Sequence, residues 1–176
     1  MNINILDLTF RPYIPQLEIE QKVTAMGRQI TEDYRDKTPF ILSVLNGSFI
    51  FTADLVRAID LPCETEFVKL KSYEGTQSTE QIQEMIGLER DIKGLDIIIV
   101  EDIVDTGLTL YRLIENLKLK EPKSIAIASL IFKKEAFKKE YAIDYVGFEI
   151  ENKFIVGYGL DYNGYGRNLK EIYQIV

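Results

Sequence analysis

Residues 97–109, which read IIIVEDIVDTGLT, combine residue types that can bind a sugar phosphate. The four β-branched residues at 97–100 predict a buried strand, and the small residues at 105–107 predict a turn that opens into a helix. Ligands bind beyond the carboxyl ends of parallel strands, where backbone N–H groups and helix N-termini converge. Such a turn suits a phosphate monoester, and the adjacent carboxylates of Glu101 and Asp102 can accept hydrogen bonds from a vicinal ribose diol.

The same segment also has a plainer interpretation. Asp105 can be an ordinary helix N-cap, and Glu101 and Asp102 can simply mark where a strand meets water. An isolated Asp-Thr-Gly turn would favour that interpretation, because short motifs of this kind often occur without a ligand. What favours the ligand site is a resemblance of the complete string, from the four β-branched residues to Thr109, to a known family motif.

Lys133 is a second candidate for chemistry, because it follows the predicted strand 124–132 at its carboxyl end. An ammonium group there can donate a hydrogen bond to a ligand. The alternative is that Lys133 belongs to the run 133–140 (KKEAFKKE), which is typical of the solvated face of a helix. The position of Lys133 alone leaves these two interpretations even.

The composition excludes several kinds of catalytic site. The 176-residue sequence contains no histidine, which removes serine triads and zinc–histidine sites. Its one cysteine, Cys63, has no partner for an internal disulfide, which suits a reducing compartment. A nucleotide-kinase loop of the form GxxxxGK[ST] is also missing. Because the cysteine has no disulfide partner, the cytoplasm is the expected location.

The charge and the hydropathy pattern restrict the partners. A net charge of -7 disfavours nucleic acid and anionic membranes, so a polyphosphate ligand would need a local cluster of donors or a metal ion. The first sixteen residues do not read as a signal peptide, and no apolar stretch approaches the length that spans a bilayer. We expect neither a nucleic-acid nor a membrane partner.

Apolar periodicity predicts the elements that position these residues. The predicted helices are 17–34, a helix from Ser48 with an apolar stripe at Phe49, Ala53, Val56 and Ile59, and a helix with a stripe at Leu110, Leu113, Ile114 and Leu117. The predicted strands are 40–45, 66–70, 96–100, 124–132, 145–150 and 154–158. Strands that alternate with helices indicate an α/β fold with a mostly parallel sheet covered on both faces.

The remaining segments complete the predicted organisation. The polar stretch 72–84 predicts a long mobile loop or an extended excursion. We expect one domain over residues 1–176, with a core of about 17–145 and a small cap formed by about 1–16 and 146–176.

Four blocks of the sequence resemble the hypoxanthine-guanine phosphoribosyltransferases, in order and at similar spacing. Residues 97–109 are similar to the phosphoribosyl-pyrophosphate motif of the type I phosphoribosyltransferases. The other blocks are 44–55 (VLNGSFIFTADL), 70–79 (LKSYEGTQST) and 146–169 (VGFEIENKFIVGYGLDYNGYGRNL). The part reading FIVGYGLDYN is the most specific for purine bases, because pyrimidine and regulatory relatives also carry the ribose-phosphate motif. The resemblance implies the type I phosphoribosyltransferase fold, a mostly parallel twisted sheet flanked by helices with a small cap from the terminal segments.

The resemblance also implies a reaction. N9 of hypoxanthine, and of guanine, is joined to C1 of 5-phosphoribosyl-1-pyrophosphate (PRPP), and pyrophosphate leaves through a transition state that resembles an oxocarbenium ion. Such chemistry needs Mg²⁺ to neutralise the leaving group and a group that handles the proton on the imidazole part of the base. The resemblance assigns that proton to Asp105, and the absence of histidine agrees with it.

The resemblance assigns residues to each part of the site. The ribose and 5′-phosphate residues are Glu101, Asp102, Asp105, Thr106, Gly107, Leu108 and Thr109. The purine residues are Lys133, Phe154, Ile155 and Asp161. The pyrophosphate residues are Leu45, Asn46, Gly47 and Arg167. The lid residues are Ser72 and Tyr73, and the metal residues are Glu101, Asp102 and Asp161.

Within these roles, Lys133 would donate to the 6-oxo group, Phe154 would stack on the purine, and Ile155 would pair the base edge through its backbone. The plainer interpretations are a buried strand aromatic for Phe154, a loop cap for Asp161, a surface cation for Arg167 and a disordered surface loop for the lid. Relatives often have a strained or cis peptide in the pyrophosphate turn, and some carry lysine where this chain has Asn46. Lys69 is a further candidate for a subunit interface or a pyrophosphate contact.

Two other functions compete with this prediction. A xanthine-preferring enzyme would use the same 6-oxo contact. A non-catalytic regulator of the same fold that binds RNA or nucleotides would keep the ribose-phosphate turn, but it would need a basic surface that this chain lacks. For the enzyme, the resemblance implies assembly as a homodimer or homotetramer.

Overall fold

A computed structural model describes the backbone of residues 1–72 and 82–176 and the side chains of residues 1–70 and 87–176. The helices of this part of the chain are α1 (Gln16–Asp33), α2 (Phe49–Ala58) and α3 (Leu108–Lys118). The strands are β1 (Ile3–Ile5), β2 (Leu8–Ile14), β3 (Phe40–Leu45), β4 (Glu64–Ser72), β5 (Ile82–Ile86), β6 (Asp96–Val104), β7 (Ser124–Phe132), β8 (Tyr145–Glu149), β9 (Ile155–Val156) and β10 (Ile172–Ile175). None of the helices in the described ranges is both long and apolar enough to cross a membrane.

The larger sheet has the strand order β5-β4-β3-β6-β7-β8. Its strands β4, β3, β6, β7 and β8 run parallel, and β5 pairs antiparallel with β4. Helices α1 and α2 pack on one face of this sheet, and α3 packs on the other. The predicted fold class, α/β with a mostly parallel sheet flanked by helices, is confirmed.

The side chains of β3 show why this sheet could be predicted. Ile41 packs with α1 and α2, whereas Phe40 and Leu42 pack with α3 on the other face. A strand that is buried on both faces has a continuous apolar sequence rather than an alternating one. The runs FILSVL and IIIV have this character.

Parallel pairing brings the carboxyl ends of three strands to one edge of the sheet. Ser43 of β3 pairs with Val100 of β6, and Val104 of β6 pairs with Phe132 of β7. The loop after β3, the turn after β6 and Lys133 after β7 therefore lie at the same edge. This edge is where an open parallel sheet binds its ligands.

A smaller antiparallel sheet has the strand order β1-β2-β10-β9. Its strands come from both ends of the chain, and Ile172–Ile175 pair with β2 on one side and with β9 on the other. Phe154 directly precedes β9. The sheet thereby fixes the segment that carries the candidate base-stacking ring.

Helix α2 forms where it was predicted, but its predicted buried face was wrong. The buried side chains of α2 are Phe51, Thr52 and Leu55. Of the predicted stripe, Phe49 and Ala53 are exposed, Val56 is partly buried, and Ile59 is buried at the end of the helix. The sequence of α2 is apolar on several sides, so periodicity alone did not select the face that meets the sheet.

A further local prediction was wrong. Residues 133–140 do not form a helix: residues 134–136 form a turn, and Phe137 packs edge-on against Phe132 and Tyr141. For 72–84 the prediction was a long mobile loop or an extended excursion, and its two ends agree with the excursion, since β4 continues to Ser72 and β5 starts at Ile82 and pairs antiparallel with β4. Tyr73 lies outside the described residues, and only the backbone of Ser72 is described.

Candidate active site

The turn between β6 and α3 forms the candidate phosphate site. Gly107 is the N-cap of α3 and has a left-handed backbone with φ of +76°. A Cβ at this position would lie 2.5 Å from Phe137 and 2.7 Å from the Tyr141 hydroxyl, so only glycine fits. The residues around the turn line a cavity of about 160 Å³. A helix N-terminus that lines a small cavity is suited to bind a phosphate, because its first N–H groups have no acceptor within the helix.

Tyr141 is a residue of this turn that the sequence analysis missed. Its hydroxyl donates a hydrogen bond to the Gly107 carbonyl oxygen at 2.7 Å, and its ring stacks on Tyr111. The available signal was the presence of two aromatic residues, Phe137 and Tyr141, in an otherwise charged run. A cavity of about 410 Å³ lies beyond Tyr141, near the other end of α3, and contains none of the candidate site residues.

Glu101 and Asp102 are partly buried carboxylates at the end of the buried part of β6. Burial raises the pKa of Glu101 well above its ordinary value, and the charge of Asp102 adds to the effect. Burial also raises the pKa of Asp102 to about 6, although the Ile103 N–H group and the Arg167 guanidinium oppose that shift. Hydroxyl donors or a cation would restore the solvation that these carboxylates lack.

The loop at 45–48 is held tightly between two other parts of the site. A Cβ on Gly47 would lie 1.6 Å from Asp102 Oδ2, so the loop backbone packs directly on that carboxylate. From the other side, a Cβ on Gly159 would lie 2.0 Å from the Gly47 carbonyl oxygen. The Leu45–Asn46 peptide bond is cis. The structure therefore brings the predicted pyrophosphate turn against the predicted ribose carboxylates.

Buried hydroxyl groups support this loop from below. Ser43 Oγ lies 2.7 Å from Ser48 Oγ and 2.7 Å from Thr52 Oγ1, and all three side chains are buried. The Ser48 hydroxyl also donates to the Val44 carbonyl oxygen and makes no side-chain cap on α2, although Ser48 occupies the N-cap position as predicted. The sequence signal for these three hydroxyl residues was weak, because each is a single polar residue in an apolar stretch.

Arg167 and Asp161 form an ion pair beside the same loop. Arg167 NH2 lies 2.6 Å from Asp161 Oδ1, and Arg167 NH1 donates to the Gly159 carbonyl oxygen at 2.7 Å. Asp161 Oδ2 accepts from the Gly164 N–H group at 2.6 Å, so it does cap its own turn. Arg167 is not a freely solvated surface cation, because its side chain is only 26% exposed.

The carboxylates of this edge suit a divalent metal only with additional ligands. Within the described ranges, no group of three or more Asp, Glu, Cys or His side chains is placed to hold an ion. Glu101, Asp102 and Asp161 therefore do not form a closed site. Mg²⁺ commonly binds one or two carboxylates and completes its shell with water and substrate phosphates, and this donor set fits that pattern.

Lys133 and Asp105 meet at the ends of β7 and β6. Lys133 Nζ donates to Asp105 Oδ2 at 3.0 Å and to Asn152 Oδ1 at 3.2 Å. The Lys133 side chain is only 9% exposed, whereas that of Asp105 is 45% exposed. The interpretation of Lys133 as part of a solvated run was wrong, and Asn152 is a contact that the sequence analysis missed.

The candidate purine residues 154 and 155 have different surroundings. Phe154 is 42% exposed, and its ring lies 6.1 Å from that of Phe10 and edge-on to Tyr162 at 5.8 Å. The interpretation of Phe154 as a buried strand aromatic was therefore wrong, and part of its side chain is accessible to a ligand. Ile155 is buried and pairs with Gln174 in the smaller sheet.

Comparison with known proteins agrees with this geometry. The family model of the phosphoribosyl transferase domain matches residues 14–163. The chain is 40% identical over 171 residues to the hypoxanthine phosphoribosyltransferase of Salmonella typhimurium, which covers 96% of both chains. It is 46% identical over 150 residues to the hypoxanthine-guanine phosphoribosyltransferase of Dictyostelium discoideum, covering 82% of this chain and 83% of that protein.

A solved structure has the same architecture. The crystal structure of a hypoxanthine-guanine phosphoribosyltransferase from Bacillus anthracis superimposes with a TM-score of 0.89 and 35% identity, covering 94% of this chain and 98% of that chain. This protein belongs to the phosphoribosyltransferase family.

Proposed function

We propose that this protein is a hypoxanthine phosphoribosyltransferase of purine salvage, which converts hypoxanthine, and also guanine, with PRPP to IMP or GMP and pyrophosphate. The observation that carries the proposal is the contact of Lys133 Nζ with Asp105 Oδ2 at 3.0 Å, at the strand ends beside the phosphate turn. A 6-oxopurine presents its 6-oxygen next to N7. A donor ammonium beside an acceptor carboxylate matches these two atoms when N7 carries the proton.

The Lys133–Asp105 pair also predicts that adenine is a poor substrate. An ammonium group has three donors and no acceptor, so it cannot receive a hydrogen bond from a 6-amino group. Lys133 is 9% exposed, so water does little to compensate for a mismatched base there. The same pair would serve guanine and xanthine, which also have a 6-oxo group.

The proton step follows from the same contact. Attack of N9 on C1 of the donor leaves a positive charge on the imidazole part of the base, and the proton on N7 is then lost. Asp105 is the acceptor for this proton, and its partly exposed side chain can reach a bound base. Lys133 donates to the 6-oxygen and holds the base so that its N7–H group faces Asp105.

The donor half of the site is the turn at 105–109. The N–H groups at the start of α3 bind the 5′-phosphate, and the helix dipole favours its charge. Glu101 and Asp102 accept hydrogen bonds from the ribose hydroxyls, which suits their poorly solvated position. Phe154 stacks on the purine with the exposed side of its ring.

The pyrophosphate half is the loop at 45–47 with Arg167. Backbone N–H groups of the loop and the guanidinium bind the leaving group, and the contacts of Gly47 with Asp102 and Gly159 keep the loop rigid. Phosphoribosyltransferases use a divalent metal. We assign Mg²⁺ to this role, held by one or two of Glu101, Asp102 and Asp161, where it neutralises charge on the pyrophosphate.

Closure of a lid over these groups by Ser72 and Tyr73 remains a prediction, as do the cytoplasmic location and assembly as a homodimer or homotetramer. Size-exclusion chromatography with light scattering measures the assembly. Exclusion of water by a lid matters because an oxocarbenium-like centre is open to hydrolysis.

The test is pyrophosphate release from PRPP with Mg²⁺, measured separately with hypoxanthine, guanine, xanthine and adenine. We expect turnover of hypoxanthine and guanine, and a kcat/KM for adenine that is lower by about 100-fold or more. Negligible turnover of hypoxanthine and guanine beside efficient turnover of xanthine would replace the proposal with a xanthine enzyme. Salt-dependent RNA binding without pyrophosphate release would replace it with a regulator.

A further inference from the structure

The loop between β8 and β9 carries a side chain that reaches back to the candidate base-binding lysine. Asn152 lies two residues before Phe154, and its Oδ1 atom accepts a hydrogen bond from Lys133 Nζ at 3.2 Å. The start of the loop is tied to the end of β7, because the Ile150 N–H group donates to the Phe132 carbonyl oxygen at 3.0 Å. Asn152 is therefore held at a fixed distance from Lys133.

Most of the hydrogen-bonding capacity of the Lys133 ammonium is already used by these neighbours. It has three N–H donors, of which one is accepted by Asp105 at 3.0 Å and one by Asn152 at 3.2 Å. The two acceptors come from different elements, the end of β6 and the loop before β9. They fix the direction of the third N–H group, because an ammonium with two directed hydrogen bonds cannot rotate freely about its terminal bond.

We infer that Asn152 is a positioning residue for base selection. It acts through Lys133 and aims the remaining N–H group at the 6-oxygen of the purine. This inference rests on the proposed function, since it assumes that Lys133 contacts the 6-oxo group.

The amide suits this task better than an apolar side chain or a second carboxylate. An apolar residue would leave only Asp105 to direct the ammonium, and the N–H group released from the exposed Asn152 would turn to water without a fixed direction. A carboxylate would add a second negative charge beside Asp105 and would compete more strongly with the neutral 6-oxygen for the ammonium. Asn152 accepts a hydrogen bond and adds no charge.

The position of Asn152 allows a clean test, because its side chain is exposed apart from this contact. Asn152→Ala should leave the thermal unfolding midpoint close to that of the wild type, since exposed substitutions away from caps and cores have small effects. A role in folding and a role in base selection can thus be separated in one variant.

The experiment measures the Kd of two nucleotides by titration calorimetry. The first is IMP, and the second is purine riboside 5′-monophosphate, which has hydrogen in place of the 6-oxygen. Both present the same 5′-phosphate and ribose, so the ratio of the two Kd values reports on the 6-oxo lactam edge of the base, and the change of this ratio between variants isolates the effect of Asn152. Asn152→Ala should weaken IMP by about 5- to 10-fold and leave the second nucleotide unchanged.

Lys153→Ala is the matched control on the same loop, because Lys153 is exposed and its side chain pairs with Glu151 on the surface at 3.6 Å. It should leave both Kd values unchanged. An Asn152→Ala protein that keeps the wild-type ratio, or that loses both nucleotides equally, would overturn the inference. If the wild type itself binds the two nucleotides equally, the proposed lysine contact fails, which is a different result from failure of Asn152 alone.

Discussion

Gly47→Ala is the substitution that the geometry of the site resists most strongly. A Cβ atom there would lie 1.6 Å from Asp102 Oδ2 and 2.5 Å from its Cγ atom. Ordinary non-bonded contacts are about 3.5 Å, so the loop or the carboxylate must move by roughly 2 Å. The loop has little room to retreat, because the Gly47 carbonyl oxygen already lies against Gly159.

The size of the effect follows from this displacement. A shift of about 1 Å in a group that positions substrate can cost about 100-fold in rate. We therefore expect kcat/KM for PRPP to fall by about 100-fold or more. Backbone strain does not contribute, because Gly47 does not have a left-handed φ.

The assay is steady-state pyrophosphate release with saturating hypoxanthine and varied PRPP. Gly94→Ala is the control: a Cβ at Gly94 meets nothing within 4 Å, and its φ is +73°. This control should lose some stability to backbone strain and keep the wild-type rate. A Gly47→Ala protein that retains a kcat/KM for PRPP within about threefold of the wild type would show that the loop accommodates a Cβ without a harmful displacement.

Three further predictions address other parts of the structure. Asp105→Asn should lower kcat by about 100-fold and leave the Kd of PRPP unchanged, since it removes a proton acceptor and keeps the shape; an unchanged kcat in single-turnover experiments would contradict this. Tyr141→Phe should raise KM for PRPP by a factor of about 3 and leave KM for hypoxanthine unchanged, because it removes the hydrogen bond to Gly107, and equal changes in both KM values would contradict it. Burial acts to raise the pKa of Asp96, but hydrogen bonds from Ser124 and Lys123 prevail and lower it below 3.8. The ionised carboxylate therefore stabilises the folded protein above that pH, and this contribution is lost as the pH falls below it. The difference in free energy of unfolding between wild type and Asp96→Asn should shrink as the pH falls below about 4, and a difference that stays constant in urea titrations would be the contrary result.

The sequence was a good guide to elements whose surroundings are the same along their whole length. Strands β3 and β6 are buried on both faces, so a continuous apolar run predicts them. Their carboxyl ends could be placed at one edge because parallel strands share a direction, and that edge holds the Gly47–Asp102 and Lys133–Asp105 contacts.

The sequence was a poor guide where distant segments decide the outcome. The buried face of α2 depends on how the helix meets the sheet. Phe137 is turned inward from an otherwise charged segment because it packs against Gly107. Asn152 lies 19 positions from Lys133 along the chain, so nothing in the local pattern signals their contact. Such contacts depend on tertiary packing, which periodicity does not report.

The interaction of Lys133 with Asp105 also has a consequence for substrate binding. Each group balances the charge of the other, so the nearly buried ammonium of Lys133 is not left unpaired. In the proposed complex, O6 of a 6-oxopurine would accept the third N–H group of the ammonium, and the N7–H group would donate to the carboxylate. A base that lacks the 6-oxygen would leave that N–H group without an acceptor, which sharpens selection.

We propose that Lys133, paired with Asp105, selects a 6-oxopurine. The most direct measurement is the ratio of kcat/KM for hypoxanthine to that for adenine, compared between the wild type and Lys133→Met, which keeps a flexible unbranched side chain and removes the ammonium. We predict that this ratio falls by about tenfold or more in the variant, while the Kd of PRPP measured without a base stays unchanged. A ratio that is the same in both proteins would mean that the Lys133 ammonium does not select the base.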